Sequence, residues 1–262
     1  YSTIIYKSRT EMEKLVACVQ RRPNALFRLI CFPWAGGGTS QLAQWGKLFD
    51  DSIEVFCIRL PGRESRHEEP FAKDMTSVVN EVTSVLLKEF KEKPFAFFAH
   101  SFGTYTSLAV ALHLKEKYGL EPVHLFLSSA HAPNVSYGII NIMKQNHKLG
   151  TNSKSDILQY AMESSFNIKL TFLQNLWSEK CSDVDAEYII FTKTEKNIPF
   201  SCDVTYFYGS DDKIYDSQGW RELTCGDISF YQLPGDHFYL LKPSNESFLI
   251  KHITRCIENA GL

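Results

Sequence analysis

The sequence carries almost no net charge. Its 28 Lys and Arg residues nearly balance 30 Asp and Glu residues, which leaves a formal net charge of −2. Proteins that bind nucleic acid or anionic membranes through electrostatics usually carry a basic excess. Neither kind of partner is therefore expected.

The seven cysteines form no recognisable framework. They are odd in number and scattered, and no two of them form a CxxC pair. Disulfide scaffolds and zinc sites need paired or closely spaced ligands, so neither is expected. Cys31 and Cys57 lie inside apolar runs, where a reduced thiol behaves as a small hydrophobic side chain.

Long apolar runs are also absent. No stretch approaches the roughly 20 apolar residues that cross a bilayer, and residues 1–20 lack the apolar centre of a signal peptide. A cytosolic location is the resulting expectation. With 262 residues, 44% of them hydrophobic and 22% charged, the chain has a globular composition and can bury a substantial core.

Short apolar runs alternate with segments of helical spacing. The predicted strands cover residues 26–32, 53–58, 95–99, 123–128, 202–208 and 228–233. This alternation predicts an α/β fold with a mostly parallel, doubly wound sheet. The alternation stops between the fourth and fifth of these strands, where apolar residues such as Leu170, Leu173 and Trp177 recur at helical spacing. We predict one domain over residues 1–262, with a helical lid inserted at about 134–199 that covers an apolar ligand such as an acyl chain.

The stretch from Phe95 to Gly103 predicts a nucleophile elbow. A buried strand runs into Ser101, which has a small residue two positions before it and two after it, and a helical pattern follows. A side chain held at so sharp a turn needs small neighbours, and Ala99 and Gly103 meet that need. Ala99 departs from the glycine usual at its position. The alternative is an ordinary strand-to-helix turn whose serine caps the helix.

The segment Pro33 to Gly38 follows another predicted strand and contains three glycines. Its backbone can approach a ligand closely, so an N–H of Trp34 or Ala35 could point to the same place as the N–H of Phe102. Two such donors would make an oxyanion hole of the kind that α/β-hydrolases build. A phosphate-binding loop is the alternative, but neither the GxGxxG nor the GK[ST] spacing is present.

A histidine and a carboxylate follow the last two predicted strands. Asp212 comes after the fifth and His237 after the sixth, which is the chain order Ser, Asp, His of the α/β-hydrolase fold. We predict that Ser101, His237 and Asp212 form a catalytic triad, with His237 as the base. Asp211 is the competing carboxylate, but the fourth position of a turn beginning at Gly209 is better directed at the histidine.

Other polar residues near these loops are predicted to be structural. Asp236 precedes His237 and is expected to anchor its loop, and His100 is expected to be buried by packing. Arg59 and Arg63 are predicted to fix a loop through ion pairs. The predicted chemistry is acyl transfer to water, which needs neither a metal nor an organic cofactor.

These motifs together resemble the type II thioesterases, most of all the branch that serves vertebrate fatty acid synthase. The likeness covers residues 26–258 and lies in five segments, which read LICFPWAGG, RLPGRE, HSFG, GSDD and LPGDHFY. It implies the same triad and hydrolysis of acyl groups, in that branch medium-chain ones, from the phosphopantetheine arm of an acyl carrier protein. It also implies a transient contact with the carrier protein of a fatty acid synthase or polyketide synthase. The protein is expected to be a monomer. The segment from Ser164 to Asn167 departs from the Gly-rich turn common in the lid of that family.

Three alternatives stay open at this stage. An editing thioesterase of a polyketide-type synthase would share every motif. A carboxylesterase or lipase would use the same triad on oxygen esters. A non-catalytic acyl-binding module would keep the fold without turnover.

Overall fold

The computed structural model describes residues 10–72, 74–90, 92–132, 200–212 and 217–260. In these ranges the chain forms a seven-stranded sheet that is flanked by helices. The strands are β1 (Val16–Ala17), β2 (Phe27–Phe32), β3 (Ile53–Ile58), β4 (Phe95–His100), β5 (His124–Ser128), β6 (Asp203–Gly209) and β7 (Ile228–Leu233). The helices are α1 (Glu11–Leu15), α2 (Ser40–Ala43), α3 (Met75–Glu89), α4 (Phe102–Tyr118), α5 (Ser217–Arg221) and α6 (Pro243–Ala260), with short 3-10 turns at Gln44–Lys47, Glu64–Arg66 and Tyr239–Leu241.

The sheet has the strand order β1-β3-β2-β4-β5-β6-β7. All neighbouring strands run parallel except β1, which pairs antiparallel with β3. The carboxyl ends of six strands therefore lie along one edge of the sheet, where open α/β folds bind their ligands. The predicted α/β-hydrolase architecture with a mostly parallel, doubly wound sheet is confirmed.

The central strands are buried on both faces. In β4, Phe97 and Ala99 belong to one core cluster, whereas Ala96 and Phe98 belong to the other. Side chains alternate between the two faces of a strand, so a strand covered by helices on both sides is apolar throughout. Helices α3 and α4 contribute to the first cluster, and α6 contributes to the second.

The first described segment differs from the prediction. The spacing of Met12, Leu15, Val16 and Val19 predicts a helical segment within residues 1–23, but only Glu11–Leu15 is helical in the described part. Val16 and Ala17 pair with Ile58 and Cys57 instead and add an edge strand to the sheet. The free backbone groups of β3 hydrogen-bond with this segment, and that pairing outweighs a weak helical periodicity.

The connection between β5 and β6 contains the predicted lid. These strands are neighbours and run parallel. The lid predicted at about 134–199 lies outside the described residues, so the lid and the single domain over 1–262 stay predictions. Among the helices that the structure does describe, none has the length and apolar character needed to cross a membrane.

His124 is buried at the start of β5, where it joins two strands. Its Nε2 lies 2.8 Å from Thr205 Oγ1 on β6, and its ring stacks on Phe126 at 4.2 Å between centroids. Burial lowers the pKa of His124 from 6.5 to about 4; the positive charge of His252 acts in the same direction, and the Asp203 carboxylate opposes it. The folded protein therefore keeps this imidazole neutral at pH values where an unfolded chain protonates it.

We expect this histidine to make the folded state sensitive to acid. The contribution of His124 to the free energy of unfolding should be fully present above about pH 6.5. It should fall by about 1.4 kcal/mol per pH unit down to about pH 4, or roughly 3 kcal/mol in total. Urea denaturation at a series of pH values measures the slope. In His124→Gln, whose side-chain amide reaches about as far as Nε2 and so can still bond Thr205, the dependence of stability on pH between pH 6.5 and 4 should be smaller by about one proton. An unchanged slope would show that His124 titrates normally in the folded state.

Candidate active site

Three loops meet at the carboxyl edge of the sheet. Ser101 directly follows β4, Asp212 follows β6, and His237 follows β7. Strands β4, β5, β6 and β7 are consecutive in the sheet, so residues that are far apart in sequence start from neighbouring strand ends.

The backbone at Ser101 has the strained geometry of a nucleophile elbow. Ser101 has φ 54° and ψ −124°, and helix α4 begins at the next residue. A positive φ at a non-glycine residue costs about 1–3 kcal/mol, and such residues cluster at active sites and ligand-binding sites. The N–H of Ser101 donates to the carbonyl of Ser128 at 2.7 Å, which ties the elbow to the end of β5.

The two small residues beside Ser101 are required to different degrees. A Cβ at Gly103 would lie 2.3 Å from the carbonyl oxygen of Phe32 and 2.6 Å from that of Pro33, so only glycine fits there. Ala99 is fully buried, and its methyl group packs in the core. The departure from glycine at position 99 is therefore accommodated.

The side chains of the three predicted catalytic residues form one hydrogen-bonded chain. His237 Nε2 lies 2.9 Å from Ser101 Oγ, and His237 Nδ1 lies 3.0 Å from Asp212 Oδ2. In the tautomer that suits both contacts, Nδ1–H donates to the carboxylate and Nε2 accepts from the serine hydroxyl. The side chains of His237 and Asp212 are only 10% and 7% exposed, so water screens their interaction little.

The turn after β6 selects Asp212 over its neighbour. The N–H of Asp212 donates to the carbonyl of Gly209 at 3.1 Å, which closes the predicted four-residue turn. The carboxylate of Asp211 instead accepts from Ser210 Oγ at 3.0 Å. A Cβ at Gly209 would lie 2.3 Å from the carbonyl oxygen of Asp236, so glycine lets this turn pack against the loop of His237.

Asp236 anchors that loop locally, as predicted. Its Oδ1 accepts from the N–H of Phe238 at 2.9 Å. The hydrogen bonds of the described residues give it no contact with the ring of His237, in contrast to Asp212.

Three backbone N–H groups near Ser101 were predicted to hold an oxyanion, namely those of Trp34, Ala35 and Phe102. Within the described part of the chain, none of the three donates to a protein acceptor. The carbonyl of Trp34 accepts from the N–H of Gly37 at 3.0 Å, which forms a turn in this loop. The role of these three N–H groups in holding an oxyanion stays a prediction.

His100 belongs to a buried polar chain that the sequence did not reveal. Its Nδ1 lies 2.7 Å from Ser128 Oγ, which in turn lies 2.7 Å from Tyr239 OH. Burial, together with the nearby His237, holds the pKa of His100 well below its usual value. A neutral imidazole fixed in this way cannot replace His237 as the base, although the two rings are 5.1 Å apart.

Comparisons with known proteins point to one family. The family model described as a Thioesterase domain matches residues 27–257. The medium-chain S-acyl fatty acid synthase thioesterase of Anas platyrhynchos is 45% identical over 263 residues, which cover 96% of this chain and 100% of that protein. The protein of the same name from Homo sapiens is 42% identical over 259 residues, which cover 97% of this chain and 96% of that protein.

A solved structure agrees with these sequence matches. The crystal structure of human thioesterase 2 superposes with a TM-score of 0.65 and 32% identity, and the match covers 91% of this chain and 99% of that one. The segment that the family model matches includes Ser101, Asp212 and His237.

Proposed function

The chain belongs to the thioesterase domain family, and from this premise we propose that it hydrolyses acyl thioesters on the phosphopantetheine arm of an acyl carrier protein. The hydrogen-bonded chain Ser101, His237 and Asp212 is the observation that carries the proposal. A serine hydroxyl needs a base held in one tautomer before it can attack at neutral pH. His237 can be that base, because its hydrogen bond to Asp212 fixes the tautomer.

The first half of the reaction acylates the enzyme. Ser101 Oγ attacks the thioester carbonyl carbon while His237 Nε2 takes the hydroxyl proton. The tetrahedral intermediate collapses, the C–S bond breaks, and the departing sulfur receives that proton from His237. Asp212 stabilises the imidazolium that exists between these two steps.

The second half releases the acid. A water molecule attacks the acyl-serine carbonyl, and His237 again takes a proton, which it returns to Ser101 Oγ as the C–O bond breaks. The N–H of Phe102 and that of Trp34 or Ala35 hold the negative oxygen in both halves. Losing one such donor typically costs about 3 kcal/mol of transition-state stabilisation.

The substrate class rests on the relatives. The proteins of Anas platyrhynchos and Homo sapiens, which align over nearly the whole chain, are both named as medium-chain thioesterases of fatty acid synthase. We infer that this chain likewise releases medium-chain fatty acids from a fatty acid synthase, through a transient contact with its carrier protein. The cytosolic location, the monomeric state and the lack of a cofactor stay predictions from the sequence.

A comparison of ester types tests this proposal. We expect kcat/KM for acyl thioesters to exceed that for oxygen esters of the same acyl group by about tenfold or more. Thiol release and acid release are measured with acyl groups of graded length, and medium lengths should react fastest. Ser101→Ala provides the blank rate.

Other outcomes would favour the alternatives. A preference for oxygen esters would indicate a carboxylesterase or lipase, and a preference for short acyl thioesters would indicate an editing enzyme. No turnover and no labelling of Ser101 by a fluorophosphonate would leave only an acyl-binding module.

A further inference from the structure

Glu64 lies in the loop after β3, in a segment to which the proposed mechanism assigns no role. It has φ 46°, which is one of three positive φ values at non-glycine residues in the described part of the chain; Ser101 is another. Such a backbone conformation is costly and persists only where surrounding contacts hold it. The contacts of Glu64 therefore indicate what this conformation serves.

The Glu64 carboxylate binds the end of the loop that supplies the proposed oxyanion donors. Its Oε1 accepts from the N–H of Thr39 at 2.9 Å and from that of Ser40 at 3.2 Å, and its Oε2 accepts from Thr39 Oγ1 at 2.7 Å. Thr39 is the N-cap residue of α2 but makes no side-chain capping bond of its own. Glu64 supplies the missing acceptor from another loop.

The two loops are in van der Waals contact as well. A Cβ at Gly38 would lie 2.5 Å from Glu64 Oε1, so glycine at position 38 allows the carboxylate to reach the backbone. From Gly38 the chain leads back through the turn between Trp34 and Gly37. We call residues 34–39 the oxyanion loop.

Arg59 connects Glu64 to the rest of the domain. Its Nε donates to Glu64 Oε2 at 3.0 Å, and its Nη1 donates to the carbonyls of Glu13 and Lys14 at 3.1 and 3.2 Å. Its side chain is only 13% exposed. The carboxylate is thus held between a fixed guanidinium and the oxyanion loop.

The ionised form of Glu64 is the one that suits these contacts. Burial acts to raise the pKa of its carboxyl, but the hydrogen bonds from Thr39 and Arg59 outweigh burial and hold the pKa below its usual value. The hydrogen bonds from Thr39, Ser40 and Arg59 all end on carboxylate oxygens of Glu64. Protonation or amidation of the side chain would therefore place an N–H or O–H against another donor.

We propose that Glu64 is a positioning residue for the oxyanion hole, because it fixes the oxyanion loop and so the backbone N–H of Trp34 or Ala35. The proposal rests on the proposed function, since it assumes that these N–H groups bind the transition-state oxyanion. Donors that are displaced by about 1 Å lose much of their effect on rate, whereas ground-state binding of the acyl chain depends on other surfaces.

The prediction concerns Glu64→Gln, which keeps the size of the side chain and the backbone preference. We expect kcat on an acyl thioester to fall by about 10- to 100-fold while KM changes by less than about twofold. Ser101 can attack the carbonyl of an alkyl trifluoromethyl ketone, and the adduct is a tetrahedral oxyanion. The Ki of this inhibitor should rise by the same factor as kcat/KM falls. If Glu64 had a purely structural role, the substitution would lower the melting temperature and would leave kcat/KM and Ki unchanged.

Matched variants keep the test decisive. Glu69→Gln breaks an ion pair in the same loop, since Glu69 accepts from Arg66 at 2.6 Å. The hydrogen bonds of the described residues join its carboxylate to Arg66 and not to the oxyanion loop. This variant should leave kcat and Ki unchanged. Thr39→Val removes one of the Glu64 contacts and should lower kcat. Thr39→Ser keeps the hydroxyl and should have the kcat of the unmodified protein.

The outcomes separate this inference from the proposed function. If the ketone inhibits the natural protein but Glu64→Gln and Thr39→Val keep its kcat and Ki, the positioning role is wrong and the function stands. If the ketone fails to inhibit the natural protein, the proposed active site itself is wrong.

Discussion

Replacing Ser101 with alanine is expected to lower kcat on an acyl thioester by about 10⁴- to 10⁶-fold. The reason is that Ser101 Oγ is the proposed nucleophile and lies 2.9 Å from the base His237. Alanine has a Cβ like serine, so the strained backbone at this position is unchanged. The variant should therefore have the same Tm as the unmodified protein. Steady-state thiol release and fluorophosphonate labelling measure the loss.

The carboxylate of the proposed triad has a matched control next to it. Asp212→Asn should lower kcat by about 10⁴-fold, because an amide at this position favours the wrong histidine tautomer. Asp211→Asn changes the adjacent side chain, which contacts Ser210 rather than His237, and should change kcat by less than about twofold. Full activity in Ser101→Ala, or equal effects of the two aspartate changes, would contradict the assignment.

The second large effect is expected from Gly103→Ala. The added methyl group would lie 2.3 and 2.6 Å from two backbone carbonyl oxygens, those of Phe32 and Pro33. Backbone atoms cannot move aside as a flexible side chain can, so the end of β2 must shift. We expect a loss of about 3 kcal/mol in stability, or roughly 10 °C in Tm. Activity of the folded fraction should fall too, because Pro33 leads directly into the oxyanion loop.

Two variants separate this steric effect from ordinary substitution. Gly46→Ala adds the same methyl group where the nearest atom would be 3.7 Å away, and should be neutral or stabilising by up to about 1 kcal/mol. Ala99→Gly at the other small position of the elbow should cost about 1 kcal/mol through lost burial and added chain entropy, with activity retained. Thermal melting of the three variants measures the differences, and a Gly103→Ala protein that melts like Gly46→Ala would refute the clash.

Several local features were predictable because they depend on neighbouring residues. The strands Ile53–Ile58 and Ile228–Leu233 have the predicted bounds, since short apolar runs between polar segments are strong signals for buried strands. The elbow could be identified because its steric demand falls on residues two positions from Ser101. The turn from Gly209 to Asp212 likewise follows from local turn chemistry, and it directs the predicted aspartate at His237.

Features that depend on contacts between distant residues were missed, or were predicted only in part, from the sequence. The edge strand Val16–Ala17 forms only because β3 offers it hydrogen-bonding partners. Arg59 makes the predicted ion pair with Glu64, but Arg63 differs from the prediction. Its guanidinium lies over the ring of Phe71 at 5.1 Å, and the ion pairs of the described residues do not include it.

The buried chain through His100 was beyond the reach of pattern reading. Ser128 and Tyr239 contact each other from positions 111 residues apart, and nothing near either residue marks it as a partner of a histidine. A serine at the end of a strand is common in any α/β fold.

The order of strands, helices and small residues along the chain was enough to identify an α/β-hydrolase and to select Ser101, Asp212 and His237 as candidates. Such information is local, because secondary structure and turns depend on a few adjacent residues. The distances that join these side chains, the carboxylate of Glu64 against the oxyanion loop and the fit of Gly103 under Phe32 came only from the folded chain. They depend on how strands pack and loops approach one another, and many sequences with the same local pattern could arrange those contacts differently.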